Sequence, residues 1–133
     1  MSALSNHMAK NIMDMIFNKV TFTPPETLYF ALYTTDPGAD NSGIEVTGDG
    51  YARAQITGMT AAELIGGKMT VKNANNVEMP RATGNWTQAN YWAILDAQTG
   101  GNLIVKGALT TPVTIQTDQQ AVFDAGDLVI TND

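Results

Sequence analysis

Residues 91–109 read YWAILDAQTGGNLIVKGAL, and this stretch decides the fold class. Trp92 and Ile94 fall on one face of an extended chain, while Tyr91, Ala93 and Leu95 fall on the other. Both faces are apolar, so both require cover. The return arm places Leu103, Val105, Gly107 and Leu109 on one face and Ile104, Lys106 and Ala108 on the other. Between the arms, Gly100 and Gly101 supply residues able to take the positive φ of a tight reversal. A two-stranded ribbon is marginal in water, and the rest of the chain must provide strands to pack against it.

Residues 28–34, LYFALYT, carry large side chains on both faces and predict a second central strand. Further strands are expected at 51–56, 68–71, 76–79, 111–115 and 120–123, with 127–131 folding back on 120–123 across Asp124, Ala125 and Gly126. Towards the N-terminus the period changes. Leu4, Met8, Ile12, Met15 and Ile16 recur at helical spacing, with Ser2 or Ser5 able to cap the first turn. The expected architecture is mainly β: a single-domain sandwich or jelly roll of about eight short antiparallel strands. An amphipathic helix within residues 1–19 leads into a β body at 20–133.

The helix stripe either docks on its own subunit or forms a partner interface, and a Met-rich face with Met8, Met13 and Met15 suits adaptable contacts. Periodicity leaves both open.

A chain of 133 residues is long enough for one domain with a core of its own. It has no cysteine, which excludes disulfides and thiolate metal sites. Thirteen acids against seven bases give a net charge of −6, and the bases are scattered, so nucleic acid is not an expected partner. Polar Asn6, His7, Lys10, Asn11 and Asp14 interrupt the N-terminal apolar run, which argues against a signal peptide. No stretch is long enough to insert in a membrane.

His7 is the sole histidine and has no neighbouring nucleophile or ligand, so neither a catalytic centre nor a cofactor is expected. The loop 36–50, DPGADNSGIEVTGDG, gathers Asp36, Asp40, Glu45 and Asp49 as weak candidates for calcium. The spacing differs from that of an EF-hand loop. Arg53 is placed to pair with an acid of this loop, and Trp86 and Trp92 are expected as anchors.

The order of several motifs adds a resemblance. Thr23-Pro24-Pro25, the strand from Leu28 to Thr34 continuing into Thr35-Asp36-Pro37, and Gly48-Asp49-Gly50-Tyr51-Ala52-Arg53 are followed by Ala82-Thr83-Gly84-Asn85-Trp86, Trp92-Ala93-Ile94-Leu95-Asp96-Ala97, Thr99-Gly100-Gly101-Asn102-Leu103 and Ala125-Gly126-Asp127-Leu128. Together they resemble a family of small tailed-phage virion proteins commonly labelled phage tail fibre proteins, over nearly the whole chain. The resemblance implies a non-enzymatic structural protein made in the host cytoplasm and carried on the virion, with the tail favoured over the head. Its partners would be further copies of itself and other virion proteins. Capsid decoration is the alternative position. Recognition of a host receptor or surface glycan through loop 36–50 is the alternative role.

Overall fold

The computed structural model describes residues 2–132. Ten strands and one helix are present among them: β1 (Ser2–Leu4), α1 (Asn6–Asn18), β2 (Leu28–Tyr33), β3 (Ala54–Ile56), β4 (Glu63–Ile65), β5 (Lys68–Lys72), β6 (Val77–Glu78), β7 (Ala89–Leu95), β8 (Leu103–Val113), β9 (Val122–Phe123) and β10 (Val129–Asn132). They form a five-stranded sheet ordered β1-β8-β7-β2-β3, a three-stranded sheet β10-β5-β4 and a two-stranded ribbon β6-β9. All the pairings are antiparallel. The mainly-β expectation therefore holds, with more strands than the pattern of apolar runs predicted.

The hairpin of 91–109 is the centre of the large sheet, as its alternation requires. Trp92 lies opposite Leu32 on β2 and Gly107 on β8. Gly107 is dictated by this neighbour: a Cβ there would lie 2.5 Å from the Trp92 indole. The reversal runs through Gly100 and Gly101 at φ 63° and 77°. Asp96 closes it, accepting from the Asn102 amide at 2.6 Å and from the Asn102 side chain at 3.0 Å.

Both faces of this sheet are buried. On one, Phe30, Leu32, Trp92, Ile94 and Val105 join Val77, Met79, Trp86 and Leu128 in the main core. On the other, Ala31, Tyr33, Ala93, Leu95 and Leu103 form a smaller cluster. Loop 36–50 covers this second face and is well tied down. Tyr33 donates its hydroxyl proton to Asn41 Oδ1 at 2.7 Å, Lys106 bonds Asp36 at 2.9 Å, and the Val46 amide donates to the Leu32 carbonyl at 2.9 Å.

Four local expectations are corrected. Residues 2–4 are not helical: they form β1, paired with β8 at Ser2–Gly107 and Leu4–Val105. In the segment 51–56 only Ala54–Ile56 is strand. β8 runs unbroken to Val113 through Pro112, so 111–115 is no separate strand; the β7–β8 ladder is irregular between Ala89 and Tyr91, facing this end, where a residue without an N–H is tolerated. Residues 120–131 do not form a hairpin, because β9 pairs with β6 and β10 with β5.

Buried Asn73 causes that divergence. Its side-chain oxygen accepts from the Gly126 and Leu128 amides at 3.1 and 2.9 Å, and its nitrogen donates to the Asp124 and Asn75 carbonyls at 3.0 and 2.8 Å. The turn at 124–128 thus wraps a side chain from a distant segment, and the strands on either side of it separate.

Candidate partner interface

α1 begins where Ser5 leaves β1. Ser5 is buried, with extended backbone, and its hydroxyl accepts from the Met8 amide at 3.0 Å while donating to the Leu103 carbonyl. The Ser5 amide donates to the Ile104 carbonyl at 3.0 Å, and the Asn6 amide to Ala39 at 2.8 Å. The start of the helix is therefore riveted to β8 and to the loop over the sheet. Its far end stops at Lys19, which takes a left-handed conformation at φ 56° and donates its amide to the Asp14 carbonyl. Lys10 and Asp14 pair one turn apart at 2.6 Å, and this bond holds the Asp14 carboxyl below the usual carboxylate range.

Between these ends the helix buries no residue. Met8, Ala9 and Ile12 are half-buried. Met13, Met15, Ile16 and the following Val20 are exposed, and Phe17 is 70% exposed. Of the predicted interface residues, Met8 and Ile12 face the body, Met15 and Ile16 face away, and Leu4 lies on β1 instead of the helix. Sequence periodicity missed Phe17 and Val20. The signal was the crowding of apolar residues in Ile12–Phe17, which is wider than one stripe against a single body requires.

No group of three or more His, Cys, Asp or Glu among the described residues could hold an ion. Asp36 accepts from the Gly38 amide and from Lys106, which together lower its pKa. Asp40 is held by Ser42 and its pKa is likewise lowered. The Asp49 carbonyl receives the Trp86 indole N–H at 2.9 Å.

Glu45 has the partner the sequence suggested. Arg53 grips its carboxylate with Nε and Nη2 at 3.0 and 2.9 Å. Arg53 Nη1 then donates to the Ala97 and Gly100 carbonyls of the central hairpin turn, both at 2.8 Å. The Tyr51 hydroxyl donates to Glu45 at 2.6 Å; burial, followed by that bond, drives its pKa upward. Arg53 is raised in turn, chiefly by its hydrogen bonds to Glu45. This network clamps loop to turn. Trp86 and Trp92 are buried.

A polar groove of about 680 Å3 lies beside the helix, with His7, Asn11, Glu26, Tyr29, Asp96 and Gln98 among its lining residues. At Asp96 burial works to raise the carboxyl pKa, but the two bonds from Asn102 outweigh it and the net direction is down. An apolar groove of about 240 Å3 lies between β1 and the small sheet, lined by Leu4, Ala62, Met69, Val71, Ile130 and Thr131. No described helix is long and apolar enough to cross a membrane.

A clamped, doubly covered sheet carrying a bare apolar helix is the build of a module that attaches to something. Comparison with protein families agrees: the model for the podophage GP4 fiber I protein gp80 matches residues 3–131. The chain belongs to that fibre family. It is a component of a phage virion fibre, and its place is on the tail. No curated protein matches the chain. In this fibre protein the outer half of α1 leaves Met13, Met15, Ile16 and Phe17 exposed.

Proposed function

We propose that this protein is a non-catalytic structural module of the tail fibre, one folding unit that associates with other virion chains through the apolar face of α1. The observation that carries this reading is the helix itself. An isolated helix of 13 residues is marginal in water even with good helix formers. One that exposes Met13, Met15, Ile16 and Phe17 gains its stability from a surface that covers them. The single-unit reading is supported by a main core that draws on all three sheets, through Phe30 of the large sheet, Val77 of the ribbon and the partly buried Ile130 of the small sheet.

Because β1 and Ser5 are part of the body, substitution tests this better than truncation. Phage carrying Ile16→Glu with Phe17→Glu should produce a folded protein that is missing from purified particles. Normal incorporation of the variant would refute the docking role of α1.

A second reading, recognition of a host-surface saccharide, is favoured by the 680 Å3 groove more than by the pinned loop 36–50. The groove is open, lacks lysine and arginine, and sets Tyr29 and Phe22 among hydroxyl, amide and carboxylate groups, the mixture that neutral sugars bind. Asn11→Ala with Gln98→Ala should reduce adsorption of intact phage without lowering its fibre content. Unchanged adsorption would remove this role.

A further inference from the structure

The turn at 124–128, wrapped around Asn73, also borders a small pocket against β8. Its volume is about 90 Å3, and its lining includes Phe30, Trp92, Phe123, Leu128, Thr110 and Asp127. Phe30, Trp92 and Leu128 are buried, and the Phe30 and Phe123 rings pack with centroids 4.8 Å apart. Thr110 and Asp127 are exposed. The pocket thus joins an aromatic interior to two oxygen-bearing side chains at the water side. It shares no residue with α1 or with the grooves of 680 and 240 Å3.

The polar rim is held in place and has bonding capacity to spare. Asp127 Oδ2 accepts from the Asp124 amide at 3.0 Å, and the Asp127 amide donates to the Asp124 carbonyl at 3.0 Å. With the bonds that Asn73 makes to the same turn, these fix the position of the carboxylate. No hydrogen bond or ion pair among the described residues reaches Asp127 Oδ1 or the Thr110 hydroxyl. The lining holds no lysine, arginine or histidine, so the charge of Asp127 is uncompensated within the pocket.

We propose that this pocket binds a primary alkylammonium group. Charge and hydrogen bonding select the class. An anion is repelled by Asp127 and by the net −6 of the chain. A purely apolar group would strip water from the carboxylate without replacing its hydrogen bonds. An ammonium offers three donors, enough for Asp127 Oδ1 and Thr110 Oγ1 with one left for water. Aromatic rings attract a cation within about 6 Å of their centres, and three of them border this small space.

Size narrows the class further. A water molecule's share of the liquid is about 30 Å3, so the pocket has room for an ammonium of similar bulk and roughly two methylene groups. A trimethylammonium head, with four groups of that bulk around its nitrogen, is too large. So is a benzene ring, which calls for about 150 Å3, and so is a sugar ring. The end of a lysine side chain from another chain and a small aliphatic diamine both carry the group that fits.

The two tryptophans make the test legible. The Trp86 indole N–H is engaged by the Asp49 carbonyl, whereas Trp92 lines the pocket. Titrating full-length, isotope-labelled protein with butylammonium chloride should shift the Trp92 indole resonance and the Thr110 and Asp127 amides saturably and leave Trp86 unmoved. Butanol and tetramethylammonium should shift none of them. Asp127→Asn keeps a side-chain oxygen for the Asp124 amide and should weaken binding about tenfold or more. Thr110→Val should weaken it severalfold and carries the test if Asp127→Asn does not fold. A tripeptide with a central lysine and putrescine, titrated in the same way, separate the two sources, and the tighter binder names the one the pocket serves. Absence of a saturable shift, an equal response to butanol, or full affinity in folded Asp127→Asn would overturn the proposal. None of these outcomes bears on the docking role of α1, which the particle-incorporation experiment tests separately.

Discussion

The two most apolar regions of this protein have opposite fates. In the β2–β7–β8 sheet, Trp92, Ile94 and Leu95 are sealed from water on both faces, by Val77, Met79 and Leu128 below and by a looped segment above. In α1, residues of similar hydrophobicity are left bare. The contrast separates two uses of apolar surface: the sheet is complete within one chain, whereas the docking role proposed for the helix calls on another surface to cover it. Substitutions should therefore act on stability in the first region and on association in the second.

The strongest challenge to this division is Trp92→Ala. Removing a buried aromatic side chain should cost about 3–5 kcal/mol, read as a lower denaturation midpoint with an unchanged denaturant slope. A loss under 1 kcal/mol would mean that the sheet is not the stabilising region. Next comes Arg53→Ala, which strips Glu45, the Ala97 and Gly100 carbonyls and indirectly Tyr51 of their shared donor. With an Arg53 side chain only 8% exposed, the expected cost is about 3 kcal/mol. Arg53→Lys should recover little of it, because an ammonium cannot reproduce the two-pronged grip on Glu45.

Gly107→Ala should cost about 1–3 kcal/mol by pressing a methyl group into the Trp92 indole; in a Trp92→Ala background most of that cost should vanish. On the other side of the comparison, Phe17→Ser should shift folding stability by no more than about 0.5 kcal/mol, and a larger loss would place the helix face inside the core.

The smallest effect concerns the tether between loop and sheet. The Gly38 amide, and then Lys106, lower the Asp36 pKa. Its stabilising contribution is therefore complete above the unfolded carboxylate value near 4 and fades as pH falls through the lower folded value. The side chain is half exposed, so solvent weakens the effect. Carboxyl chemical shifts followed through acid titration should show Asp36 titrating below an unpaired aspartate, and Lys106→Met should move it upward.

Much of the large sheet was legible in residues 28–34 and 91–109, because alternation at period two records which faces a strand must bury. The partnership of Arg53 with the acidic loop was legible for a related reason: a guanidinium two residues from a tyrosine, in a segment expected to be strand, calls for a carboxylate, and the loop supplied four. β1 and β4 were not legible. Both are three residues long, too short for periodicity, and each exists because a distant strand offers it a ladder. The supposed hairpin at 120–131 failed because Asn73, about fifty residues away, has more hydrogen bonds to offer the turn than the two flanking strands have with each other.

By itself the sequence determined the type of the longer segments: local spacing shows whether apolar residues line a helix or a strand, and glycines mark where the chain can reverse. Only the tertiary structure decided which segments meet, since β pairing joins residues far apart and depends on which edges remain open when the sheet assembles. The same holds for α1. Its amphipathic pattern is written in residues 8–17, but that half of the apolar face is left outside follows from the rivets at Ser5 and Asn6, which fix where the helix leaves the body.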